Sequence, residues 1–107
     1  MTILTHSMTT EPTNESMVDE ARRIVLGDRN SSYGDPRSDY EKTAKIWSGL
    51  LAHKLKADIS AEEAILMMVG LKLSREVHRQ KRDNIVDAHG YLLCYEWAST
   101  GVRPTSE

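Results

Sequence analysis

Ser60-Ala61-Glu62-Glu63-Ala64-Ile65-Leu66-Met67-Met68-Val69-Gly70-Leu71 decides the fold class. Ser60 and Glu63 have the spacing of a capping box, in which each side chain accepts the other residue's backbone N–H. The apolar run 64–71 would also suit a buried strand by length alone. The cap in front of it and its Met-Leu content select a helix. That helix is apolar almost all round, which predicts burial on most sides.

Past Leu71 the character changes to Lys72, Arg75, Glu76, His78, Arg79, Lys81 and Arg82. Lys72 directly follows the apolar run and therefore requires a buried partner, for which Asp87 is the natural candidate. Asp83 is placed to cap a last helix carrying Ile85, Val86, Leu92, Leu93 and Trp97, ending near Gly101 ahead of Pro104. Upstream, Asp35-Pro36 offers an N-cap followed by proline at the first helical position. From there Tyr40, Ala44, Trp47, Leu51 and Leu55 recur at three- and four-residue intervals, extending a helix to about Lys56. Gly49 within it costs about 1 kcal/mol against Ala, and a close helix crossing would explain it. Ser16-Met17-Val18-Asp19 opens a first, short helix with Met17, Ala21, Ile24 and Val25 on one stripe, and Gly27 suits its C′ stop. The expected architecture is an all-α bundle of about four helices spanning 15–101, between an N-terminal tail (1–14) and a C-terminal tail (102–107). Met8 and Met17 leave the start of translation open.

Composition narrows the function classes. The chain has 107 residues, 39% of them hydrophobic, so the core is thin and self-association to a homo-oligomer is the default. A net charge of −2 gives no global pull toward nucleic acid or an anionic membrane. Cys94 is the single cysteine, which excludes an intrachain disulfide and a multi-cysteine metal site. It reads as a small core residue. The N-terminus lacks a secretion signal, and the run 64–71 is too short to span a bilayer, so the cytosol is the expected compartment.

Three constellations are candidates for chemistry. The acids Glu62, Glu63, Asp83 and Asp87 sit at the starts of the last two helices. Carboxylates from two packed helices suit Mg²⁺, which takes hard oxygen ligands and substrate phosphates. Capping and the helix dipole account equally for Glu63 and Asp83. Antiparallel packing of the two helices would also hold the two acidic pairs apart. Lys72, Arg75 and Arg79 share a stripe that suits phosphate oxygens, or simply complements a helix C-terminus. The turn-rich stretch from Gly27-Asp28-Arg29 to Asp35 leads into a helix N-terminus with free N–H groups, but it is no phosphate loop. His6, His53, His78 and His89 show no metal-ligand spacing, and His89 reads as a satisfied core histidine. Trp47, Trp97, Tyr91 and Tyr95 read as core.

Taken together, Gly27-Asp28-Arg29, Tyr33-Gly34-Asp35-Pro36, Ile46-Trp47, Met68…Lys72-Leu73-Ser74-Arg75 and Asp83-Asn84…Asp87…Gly90-Tyr91 resemble a family of small uncharacterised proteins from bacteriophages and prophages, over roughly residues 18–97. A second resemblance is to the all-α, MazG-like nucleotide pyrophosphohydrolases. It implies an oligomer that binds Mg²⁺ through acids on two helices, with Glu62 and Glu63 as the first pair and Asp83 and Asp87 as the second. That family spaces its acids as Glu-x-x-Glu and Glu-x-x-Asp, whereas here the glutamates are adjacent and the aspartates four apart. The expectation is a protein acting on or binding a nucleotide or similar phosphate-bearing molecule. Asp87 and Lys72 would be catalytic, and Asp28, Arg29, Tyr33, Arg75 and Asn84 would bind the ligand. The alternatives are non-catalytic sequestration of a nucleotide or signalling molecule, and a module that engages a host protein.

Overall fold

The computed structural model describes residues 14–29 and 34–105, with backbone alone for 28 and 29. Helix α1 is Met17–Arg23 and continues into a π-helical turn, Ile24–Arg29. Helices α2 (Pro36–Leu50), α3 (Ala61–His78) and α4 (Arg82–Thr100) complete the bundle. No strand occurs among the described residues.

The sequence caps behave as their chemistry dictates. Ser16 Oγ accepts the Asp19 N–H at 3.0 Å, and an Asp35 carboxylate oxygen accepts the Arg37 N–H at 2.8 Å. At α3 both halves of the capping box form: Glu63 N–H donates to Ser60 Oγ at 3.0 Å, and Ser60 N–H donates to Glu63 Oε1 at 2.9 Å. The last helix departs from expectation. Its N-cap is Lys81, which makes no side-chain cap bond, so Asp83 lies inside the first turn. The capping work comes from α3 instead. Glu76 Oε1 accepts the Lys81 N–H at 3.0 Å and the Asn84 side-chain amide at 3.1 Å, pinning the 79–81 turn. The far end of α4 stops at Gly101, whose φ of 75° is the left-handed conformation that glycine adopts without strain.

The short connection at 79–81 makes α3 and α4 antiparallel neighbours, and their packing is the most extensive in the molecule. Ala61, Ala64, Ile65 and Met68 share one core with Val86, Tyr91, Cys94, Trp97 and Ala98, and Ile24, Val25, Leu26, Tyr40 and Ala44 belong to it too. Tyr40 meets Tyr91 edge to face, with centroids 6.5 Å apart. Cys94 is fully buried, as its apolar neighbours imply.

Four further expectations need correcting. First, Gly27 is no helix stop, because the π turn carries the helix through it to Arg29. Second, α2 ends at Leu50 rather than near Lys56, since Leu51 is 38% exposed and the chain turns away to reach Ser60. The Ile59 N–H then donates to buried Ser48 at 2.8 Å, tying that loop back to the helix. Third, no neighbouring helix approaches Gly49: a Cβ there would meet open space. Fourth, α3 is buried along one stripe alone, with Leu66, Met67, Leu71, Leu73 and Val77 all exposed.

Candidate functional site

The strongest polar feature is internal. Lys72 Nζ lies 2.8 Å from Asp87 Oδ2, with the two side chains 4% and 2% exposed. The pairing expected from the sequence therefore exists. It joins the C-terminal half of α3 to the second turn of α4. Its burial sets it apart from solvent in this chain, which suits an interhelical lock. Asn84, expected to bind ligand, is also buried and spends its amide on Glu76 and on the Arg79 carbonyl at 3.3 Å. Arg75 is exposed on α3. Asp28 and Arg29 side chains, and Tyr33 altogether, lie outside the described residues.

The four proposed metal ligands do not converge in one chain. Glu62 pairs with Arg37 at 3.0 Å, Glu63 closes the capping box and Asp87 pairs with Lys72. Glu62 and Glu63 start α3, while Asp83 and Asp87 start α4 at the other end of the hairpin. An 18-residue helix at 1.5 Å per residue puts these ends roughly 27 Å apart. Among the described residues no group of three or more His, Cys, Asp or Glu could hold a metal ion. These carboxylates therefore do not fit a shared Mg²⁺ within a single chain.

Three arginines prove central: Arg82, which the sequence shows only as part of its basic run, and Arg37 and Arg103, which the sequence reading passed over. Arg37 Nε donates to the Ala98 carbonyl at 2.9 Å while its Nη2 meets Glu62, so it fastens the end of α4 to the starts of α2 and α3. Arg82 Nε donates to Glu20 Oε1 at 3.2 Å, and Glu20 is 3% exposed. Arg103 donates to the Leu26 carbonyl and stacks over Trp97, 5.7 Å from the ring centroid. Residues expected to form a C-terminal tail thus fold back onto the π turn, where Arg22 Nη1 also donates to the Thr105 carbonyl at 3.2 Å.

Around this contact a cleft of about 460 Å³ opens, lined by Asp19, Arg22, Arg23, Leu26, Gly27 and Arg103. A smaller pocket of about 170 Å³ shares Arg22 and is lined otherwise by Val18, Ala21, His89, Leu92, Leu93 and Glu96. His89 is half-buried there, on the pocket wall. The single clue to the cleft in the sequence was the adjacent pair Arg22-Arg23. Nothing local announces that Arg103, some eighty residues away, joins it. On the membrane question, no described helix is long and apolar enough to cross a bilayer.

Residues 16–98 match the family described as a domain of unknown function, DUF6378. The Gene 55 protein of Mycobacterium phage D29 is 34% identical over 83 residues, covering 78% of this chain and 53% of that protein. The Gene 55 protein of Mycobacterium phage L5 is 31% identical over 77 residues, covering 71% and 47%. The chain thus spans about half the length of these relatives. No solved structure matches. The matched region contains the core and all but the last two residues of the four helices, and on that ground the chain belongs to the DUF6378 family.

Proposed function

We propose that this chain is a phage accessory protein that works by binding, and that the outer face of α3 is its contact surface for a second copy of itself. One observation carries this: Leu66, Leu73 and Val77 are 44%, 50% and 89% exposed, and with Gly70 they recur at intervals of four, three and four. That is the spacing of a coiled-coil seam, on the helix face opposite the one that forms the core. Exposed apolar residues scattered singly need no explanation, but a continuous stripe marks an interaction surface.

The charge layout of α3 favours a second copy. Glu62 and Glu63 occupy its first turn, and Arg75 and His78 its last. Arg79 and Lys81 follow immediately. An antiparallel, two-fold pairing sets each acidic end beside the partner's basic end and aligns the helix dipoles favourably. It also sets Leu66 across from Val77 and Gly70 across from Leu73. Hydrolysis of a nucleoside triphosphate forms no part of this reading, because the carboxylates it needs are dispersed and engaged elsewhere.

Sedimentation velocity on the wild type and on Leu73→Glu tests the proposal. The wild type should sediment as a dimer at micromolar concentration and the variant as a monomer with unchanged helical circular dichroism. A wild type that stays monomeric throughout the accessible range would exclude pairing through this face.

A further inference from the structure

The exposed face of α2 is a separate feature. We infer that it docks the protein on an anionic lipid surface, with Ile46, Leu50 and Leu51 entering the interface and a rim of lysines meeting the headgroups. Three observations carry this.

The first is apolar exposure. Tyr40, Ala44 and Ser48 recur at intervals of four and are buried in the bundle. Ile46 and Leu50 each stand two residues further on, roughly 200° around the helix from that buried stripe. They are 63% and 69% exposed, and exposed Leu51 follows at the helix end. A Cβ at Gly49, between them, would meet open space, so no part of the described chain overhangs this position.

The second is charge. The stretch 42–57 carries Lys42, Lys45, Lys54 and Lys56 and no Asp or Glu. The whole chain has a net charge of −2, so this stretch concentrates positive charge against the average. All four lysines are exposed, and among the described residues none of them makes a salt bridge. Along the chain, two precede the exposed apolar residues and two follow them.

The third is the choice of residue types, which separates the possible partners. Protein interfaces favour Arg and aromatic residues and are depleted in Lys. Pairing with a second copy across a two-fold axis would bring like charges together. Nucleic acid matches the charge but gives the protruding aliphatic residues no role. The adjacent Trp47 packs against the core instead of standing free to stack on a base. An aliphatic patch within a lysine rim suits a lipid surface. There the aliphatic side chains insert below the headgroups, and the lysines reach up to them along their own apolar stems. No described helix is long and apolar enough to cross a bilayer, so this contact is peripheral.

The test is flotation of the full chain with two kinds of vesicle, one of pure phosphatidylcholine and one of equal parts phosphatidylcholine and phosphatidylglycerol. The chain should float with the mixed vesicles at low salt, stay behind with the pure ones, and detach as salt screens the lysines. Each lysine near an anionic surface is worth roughly fivefold in partition, so Lys42→Gln with Lys45→Gln should weaken binding roughly 25-fold. Ile46→Gln with Leu50→Gln should weaken it roughly tenfold or more. These four side chains are exposed and Gln is a good helix former, so both variants should keep wild-type circular dichroism and thermal midpoint. Failure of the wild type to float with the mixed vesicles would overturn the inference. So would flotation unchanged by the Ile46 and Leu50 substitutions, which would reduce the contact to charge alone. A DNA duplex bound in preference to the mixed vesicles would assign the face to nucleic acid and overturn it equally. The face lies on α2, so none of these outcomes bears on the self-pairing of α3.

Discussion

Lys72 Nζ and Asp87 Oδ2 stand 2.8 Å apart inside the α3–α4 hairpin, each side chain almost wholly withdrawn from solvent. Removing charges from water is costly, and their mutual attraction offsets that cost only while both are present. The pair therefore fixes which residues of α3 and α4 face each other more than it adds net stability.

Removing one member should be damaging. Asp87→Leu or Lys72→Met leaves a buried charge without its partner and should cost about 3–5 kcal/mol in denaturant unfolding. The double change Lys72→Met with Asp87→Leu should cost much less than the sum of the singles. Additive losses would show that the two groups do not act as a unit.

The α3 cap gives a smaller, local effect. Ser60→Ala removes the acceptor for the Glu63 N–H and one half of the reciprocal box. A loss of about 1 kcal/mol is expected in the same unfolding assay. Asp83→Ala, by contrast, should show no comparable capping loss, since Lys81 holds the N-cap position of α4.

Gly49 should be improvable. It is exposed, its φ is not in the left-handed region, and a methyl group there would meet no neighbour. Gly49→Ala should therefore stabilise the chain by about 0.5 kcal/mol, chiefly by restricting the unfolded state. A destabilised variant would mean that something does cross this position.

Acid sensitivity should pass partly through Glu76. The Lys81 backbone N–H, and after it the Asn84 side chain, hold its carboxyl below the usual carboxylate range, against a small opposing effect of desolvation. A carboxyl with a lower pKa folded than unfolded contributes stability above its unfolded value and loses it as pH falls through the folded one. Stability should thus decline on acidification from the ordinary Glu range downward. Glu76→Gln, which cannot titrate, should flatten that limb of the denaturation midpoint against pH. An unchanged acid limb would remove Glu76 from the account.

Legibility in the sequence followed locality. Ser16, Asp35 and Ser60 announced helix starts correctly because a cap depends on neighbours two or three residues away. The Lys72–Asp87 pair was also readable, since a lysine after an apolar run needs an internal anion. Other features escaped because their partners are distant. Glu76 does the capping expected of Asp83 from across the interhelical turn, and Arg37 claims Glu62 from another helix. The exposed stripe of α3 misled for a different reason. Apolar composition all round a helix does not distinguish a face buried in its own core from one left for a partner.

The antiparallel arrangement of α3 across a two-fold axis is most directly tested by directed disulfide formation. Cys94 is buried, so an introduced exposed cysteine reports alone. Leu66→Cys and Val77→Cys variants would be mixed under mild oxidation and compared with each variant by itself. The proposed pairing sets Leu66 across from Val77 and predicts rapid disulfide heterodimers in the mixture, with little product from either variant alone. Equal or faster homodimer formation by Leu66→Cys alone, or no covalent dimer in any mixture, would contradict it.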